Sequence, residues 1–311
     1  MRLSIILALA LSSTLRALAA PVDDWVRTLT QVSESDISSW NPYTQFARAT
    51  YCAPSQVEGW NCGEPCDAVP GFQLTLAEGD GGGVQYYYVG YWPANNAVVV
   101  AHQGTDPFKF QADLTDANIL KTNLDPVLFP GVPSDVLVHE GFAHEHAKTA
   151  QIILAEVQNL ILKHSATEVI LVGHSLGAAL AELECLYMTL NLPSDIHVKG
   201  QTYGTPRVGN PAYASLFDSK VPDFVRINHA RDPVPILSGE FLGFSHVQGE
   251  IHIVSESASG VGDVAYECPG DDGATDEECT IRTVPNVFVG NLLDHLGPYP
   301  GNLYMGTYYC R

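Results

Sequence analysis

The segment Glu168-Val169-Ile170-Leu171-Val172-Gly173-His174-Ser175-Leu176-Gly177-Ala178-Ala179-Leu180 constrains the fold more than any other stretch of the chain. Its first half is a continuous apolar run, the pattern of a strand covered on both faces. The run stops at a serine held between Gly173 and Gly177, and small apolar residues then resume at helical spacing. The pattern predicts a strand over Val169–Val172, a sharp turn at Ser175 and a helix from Leu176 to about Leu190. A strand that passes into a helix through so tight a turn leaves little room for side chains beside it, which is why glycine flanks the serine.

The same alternation recurs along the chain. Residues 25–52 read as helical. Gly71–Ala77 and Val84–Val89 read as strands flanking the glycine turn Asp80-Gly81-Gly82-Gly83. Asn96–His102 is a second continuous apolar run. From Gly141 to His164 the residues Ala147, Ala150, Ile153, Leu154, Val157 and Leu160 recur at three and four, as on one face of a helix. Lys199–Tyr203 and Phe224–Asn228 read as short strands separated by a helical stretch near Pro211–Phe217. Strands alternating with helices imply an α/β fold: a mainly parallel central sheet with helices on both faces.

With 311 residues, 46% of them apolar and 16% charged, the chain can bury a large core as a single domain. Residues 1–20 carry Arg2, then the apolar run Leu3–Leu11, then small residues ending Ala19-Ala20-Pro21. This reads as a secretory signal peptide cut after Ala19 or Ala20, which leaves residues 21–311 as the domain and predicts an extracellular protein. The apolar run is short of the ~20 residues a membrane span needs, and no later segment reaches that length, so no integral membrane segment is expected.

Loss of the leader removes Arg2 and Arg16 from the 15 basic residues and none of the 35 acidic ones, taking the net charge from −20 to −22. Such a surface repels nucleic acid and anionic bilayers. Seven cysteines in a secreted chain allow three bridges and one free thiol. Cys62 and Cys66 are close enough for a local staple, Cys268 and Cys279 bracket an acidic loop, and Cys52 with Cys310 would tie the start of the fold to its end. Spacing alone does not decide the pairing. Cys185 lies in an apolar helical segment and is expected to be free.

Gly173-His174-Ser175-Leu176-Gly177 is a Gly-x-Ser-x-Gly pentapeptide, and its placement between strand and helix marks Ser175 as a candidate nucleophile. The Leu176 N–H lies at a helix N-terminus, where unpaired donors and the helix dipole favour an anion. A serine hydroxyl needs a base, and the base needs an acid to orient it. In this architecture the acid and then the histidine follow the serine. Asp232 in Arg231-Asp232-Pro233 follows a strand and is held in a loop by Pro233. His197, His229, His246, His252 and His295 are the downstream histidines. The Gly/Pro context of His295 favours it over His246, which stays open on spacing alone.

Four segments together resemble the class 3 lipase family of fungal α/β-hydrolases: Val138-His139-Glu140-Gly141-Phe142, the serine turn, Tyr203-Gly204-Thr205-Pro206-Arg207-Val208-Gly209-Asn210, and Arg231-Asp232-Pro233-Val234-Pro235. The resemblance covers roughly residues 40–310 and implies an α/β-hydrolase fold. It implies the triad Ser175, Asp232 and His295, with His246 in a structural role. It further implies that the oxyanion hole is built from the N–H groups of Thr105 and Leu176, with Gln103 standing where the family usually has arginine. A lid follows the oxyanion residue in this family. Here that segment carries Phe108, Phe110 and Leu114, whose alternation suits an apolar flap.

The activity implied is that of a secreted serine carboxylic-ester hydrolase. A triacylglycerol lipase, working at a lipid–water interface, leads on the apolar flap. A feruloyl esterase or general carboxylesterase taking an aryl ester is the alternative, and a catalytically silent binding protein is the reading outside enzymes. No cofactor is expected. His139 and His144 are five residues apart, where a helical zinc site needs four. Asp271–Glu278 lacks the acid spacing of a calcium loop and reads as a solvated loop.

Overall fold

The computed structural model describes residues 29–105, 120–255, 264–270, 272–273 and 276–311. The expected signal peptide and the flap residues Phe108, Phe110 and Leu114 lie outside the described residues. Among those described, eleven strands occur in the order β1 (Thr30–Gln31), β2 (Gln73–Glu78), β3 (Tyr87–Trp92), β4 (Ala97–His102), β5 (Lys121–Asn123), β6 (Leu137–His139), β7 (Glu168–His174), β8 (His197–Tyr203), β9 (Phe224–His229), β10 (Glu250–Ser255) and β11 (Val264–Cys268). Nine of them form one sheet, ordered β1-β11-β10-β9-β8-β7-β4-β3-β2, and β5 pairs with β6 separately.

The five central strands, β4, β7, β8, β9 and β10, run parallel. Antiparallel strands close both edges: β3 and β2 beyond β4, and β11 and β1 beyond β10. This is the α/β-hydrolase architecture.

Alternation along the central strands divides the core into two layers. Val98 and Val100 of β4 and Val169 and Leu171 of β7 pack with Ile153, Val157 and Leu160 of the helix Ala150–His164 and with Ala179, Leu183 and Leu186 of the helix Leu176–Asn191. Their neighbours Val99, Ala101, Ile170 and Val172 point the other way, onto Phe46 and Ala49 of the helix Asn41–Ala49 and onto Cys52, Cys62 and Cys66. Because both faces are covered, a strand with strict two-residue alternation reads as an unbroken apolar run. Among the described residues no helix is long and apolar enough to cross a membrane.

Several elements depart from the sequence-based expectation, among them β1, a strand at Thr30–Gln31 within the stretch expected to be helical. β3 begins at Tyr87 rather than Val84. The preceding N–H groups are taken by side chains, Gln85 N by Glu145 Oε1 at 2.9 Å and Tyr86 N by Gln103 Oε1 at 3.0 Å, so they do not join the ladder. The helical run from Gly141 to His164 is two helices, Glu140–Ala147 and Ala150–His164, parted where Thr149 leaves the helical region at φ −122°. Disulfides join Cys52 to Cys310, Cys62 to Cys66 and Cys268 to Cys279, while Cys185 is buried and unbridged.

Candidate active site

Ser175 occupies the one-residue turn between β7 and the helix Leu176–Asn191, at φ 60° and ψ −126°. A residue with a side chain pays for that conformation, and it persists because the surroundings over-determine it. The Ser175 N–H donates to the Tyr203 carbonyl of β8 at 3.0 Å, and its own carbonyl accepts from Ala178 at 3.0 Å. A Cβ on Gly173 would fall 2.1 Å from the Gly177 carbonyl oxygen, and one on Gly177 would fall 2.2 Å from that of His102. Only glycines let the strand, the departing helix and the end of β4 approach this closely.

The same close approach brings Gly104, the residue before Thr105, against the serine. His102 is in register with Gly173 across the parallel β4–β7 pair, so Gln103, Gly104 and Thr105 leave the sheet alongside the turn. A Cβ on Gly104 would lie 3.0 Å from the Ser175 Cβ. Thr105 is half-buried, as is Leu176. The Leu176 N–H belongs to the first turn of its helix, where no preceding carbonyl of the helix can accept it. Gln103 does not make the ion pair an arginine there could make. It closes the β3–β4 edge instead, its backbone N–H donating to the Tyr86 carbonyl at 2.9 Å while its side chain accepts in return.

Asp232 and His295 meet in the interior. His295 Nδ1 is 2.7 Å from Asp232 Oδ2, and both residues are fully buried. The other carboxylate oxygen, Oδ1, accepts the Val234 N–H at 2.8 Å. The orphaned atoms of the cluster are the informative ones. Ser175 Oγ and His295 Nε2 are buried with no hydrogen-bond partner among the described residues. A buried polar atom without a partner is costly and calls for an explanation, and a catalytic role is one such explanation. Gly204, at φ 54°, lies beneath the pair: a Cβ there would fall 2.7 Å from His295 Cε1 and 2.8 Å from Asp232 Oδ2.

The two loops that carry this pair are sewn together. Arg231 N donates to Asp294 Oδ2 at 3.0 Å, Asn291 N donates to the Arg231 carbonyl at 2.7 Å, and His229 Nδ1 contacts the Asp294 carbonyl at 2.9 Å. The remaining histidines serve elsewhere. His246 Nε2 is 2.6 Å from the Pro235 carbonyl, His252 Nε2 is 2.8 Å from the Ala230 carbonyl, and His197 is paired with Glu168 and Asp223 at the surface. His246 and His252 thus brace the loop that carries Asp232.

One acidic residue corrects the reading of Asp271–Glu278 as simply solvated. The Asp272 side chain is almost wholly buried, accepts from Arg207 Nε and Nη2, the latter at 2.6 Å, and accepts from the His246 backbone N–H at 3.0 Å. Burial opposes its charge, but the His246 and Arg207 contacts prevail and hold the carboxyl below the usual carboxylate range. Glu250, Cys268 and Cys279 cluster closely, yet both sulfurs are spent in a disulfide, so they offer no thiolate to a metal.

Comparison with known proteins agrees with this geometry. The family model described as lipase (class 3) matches residues 99–242. A secreted mono- and diacylglycerol lipase, MDL4, of Malassezia globosa is 28% identical over 309 residues, covering 96% of this chain and 94% of the relative. The secreted mono- and diacylglycerol lipase A of Penicillium camembertii is 28% identical over 262 residues, 76% of this chain and 79% of its own. Among solved structures, the lipase from Rhizopus microsporus var. chinensis superposes with a TM-score of 0.74 at 28% identity, covering 90% of this chain and 91% of that one. Lipase II from Rhizopus niveus gives 0.75 at 25% identity, with 90% and 99% covered.

Proposed function

The chain belongs to the class 3 lipase family, and from that premise we propose that it is a secreted serine hydrolase that cleaves the ester bonds of acylglycerols. The observation that carries this reading is the buried Asp232–His295 pair beside the serine turn, with Ser175 Oγ and His295 Nε2 left unpartnered. The likeness to secreted mono- and diacylglycerol lipases, in one case over nearly the full length of both chains, supports the substrate class and the location.

In the first half of the reaction, His295 Nε2 takes the Ser175 proton as the hydroxyl oxygen attacks the ester carbonyl. Asp232 holds the imidazole through Nδ1 and stabilises it while it is charged. The developing oxyanion sits against the N–H groups of Leu176 and Thr105, donors fixed before the reaction begins. The imidazolium returns its proton to the departing glycerol oxygen, leaving an acyl ester on Ser175. Water then attacks that ester by the same steps in reverse and frees the fatty acid and the serine.

A pH-stat comparison of monoolein, diolein and triolein emulsions with soluble methyl ferulate tests the assignment. Release of fatty acid from the emulsions at rates above ferulate hydrolysis is expected. Preference for methyl ferulate would replace the lipase reading with that of an aryl esterase, and no hydrolysis of any of the four would leave the silent binding protein.

A further inference from the structure

His174 precedes the nucleophile in the chain and, in space, lies against the histidine that would serve it. The two imidazole centroids are 4.3 Å apart. His174 Nε2 is 2.7 Å from the backbone carbonyl oxygen of His295, and a carbonyl only accepts, so Nε2 carries the proton. Nδ1 is therefore the acceptor, and the hydroxyl that reaches it is that of Tyr51, just beyond the helix Asn41–Ala49. The Tyr299 hydroxyl donates to the same His295 carbonyl at 3.1 Å.

All of these groups are buried. Burial, with the neighbouring His295, holds His174 well below the usual histidine range and keeps it neutral, while burial raises the Tyr51 hydroxyl and keeps it protonated. The chain Tyr51 O–H to His174 Nδ1, then His174 Nε2–H to the His295 carbonyl, thus has one consistent set of protons. It ties the turn that holds Ser175 to the backbone of His295.

We propose that Tyr51 and His174 are positioning residues: the Tyr51 hydroxyl fixes His174 as the Nε2–H tautomer, and that N–H holds the His295 backbone at its working distance from Ser175. This rests on the triad read above. Without Tyr51 the imidazole can turn its proton to Nδ1, which sets an Nε2 lone pair against the His295 carbonyl and pushes the two apart. A displacement on the order of 1 Å between reacting groups costs about 100-fold in turnover.

The experiment measures kcat and KM on p-nitrophenyl butyrate, and the rate of Ser175 labelling by diethyl p-nitrophenyl phosphate, for wild type, Tyr51→Phe, His174→Phe and His174→Gln. Expected are a kcat loss of about 10-fold in Tyr51→Phe and about 100-fold in His174→Phe at nearly unchanged KM, with labelling slowed in parallel. His174→Gln keeps an N–H donor toward the His295 carbonyl and should recover part of the His174→Phe loss. A Tyr51→Phe enzyme with lowered thermal stability but wild-type kcat and labelling rate would reduce the pair to core packing and overturn the proposal. Tyr51→Phe alone decides it should His174→Phe fail to fold. Failure of the wild-type Ser175 to label would instead sink the triad reading itself.

Discussion

The two ends of the site are held by different kinds of structure. Ser175 stands between β7, whose residues from Val169 onward are buried, and a helix buried over most of its length. Most of what places it lies within a few residues of it in the chain, in the apolar strand, two glycines and the first turn of the helix, with the Tyr203 and His102 carbonyls of neighbouring strands against the turn. Asp232 and His295 hang from loops 63 residues apart, and their spacing depends on contacts reaching across the chain, from Asp294 to Arg231, His252 to the Ala230 carbonyl, and His246 to the Pro235 carbonyl. One end is built by local geometry and the other by tertiary assembly, so changes at the two ends should fail differently.

Four substitutions sharpen that contrast, in descending order of effect. Ser175→Ala removes the proposed nucleophile without disturbing a local framework made of backbone. It should cut kcat by a factor on the order of 10⁴ to 10⁶ with the urea unfolding midpoint unchanged. Asp272→Asn attacks the assembled end, leaving Arg207 buried without its counter-charge. About 3 kcal/mol of stability should be lost at pH 7 by urea unfolding. Because the folded state holds this carboxyl below its ordinary value, its contribution is present above about pH 4 and disappears as the pH falls through the lowered value. The gap between the two proteins should therefore narrow steadily below about pH 4 and close only once the pH has fallen through that lowered value.

Gly204→Ala separates activity from stability at the assembled end. The new Cβ meets His295 and Asp232 rather than open space. Turnover should drop about 100-fold by initial rate on a soluble ester, more than the unfolding midpoint suggests. The smallest effect belongs to the helix Leu176–Asn191 that follows Ser175. Burial pushes the Glu182 carboxyl up from 4.5 to about 8, against the opposing Arg226 charge and the Tyr213 hydroxyl. Between those values the unfolded chain ionises while the folded one stays protonated, so folding weakens as pH rises through that window. Glu182→Gln should be more stable than wild type by about 1.4 kcal/mol or more at pH 8, the linkage of one pH unit, and the margin should shrink at pH 5. Equal margins at both pH values would mean that Glu182 is ionised in the folded protein.

The same contrast explains what could be read in advance. The strand, the turn and the helix around Ser175 are legible because their determinants are contiguous residues with a clear period. Asp232 and His295 were separable from His246 only with the help of family resemblance, since loop residues carry no periodic signal. Tyr51 and Asp294 carry no local signal, and Gly204 stands out only within the family-like segment, because each matters through partners tens to more than a hundred residues away. Asp272 looked like one solvated acid among several because spacing does not reveal a buried arginine. The edge strands β1 and β11 were missed as well, being short, and β1 only two residues long.

Tyr51 is followed directly by Cys52, and Cys52 is joined to Cys310, 258 residues on and close to the end of the chain. Nearly the whole protein is therefore a covalent ring, with Ser175, Asp232 and His295 all inside it. A protease that cuts any single exposed loop in that ring linearises it but releases no fragment. The nicked protein should run as one species on a non-reducing gel and as two after reduction. For an enzyme that works among the proteases of an extracellular medium, a first cut can then leave both halves attached and in place.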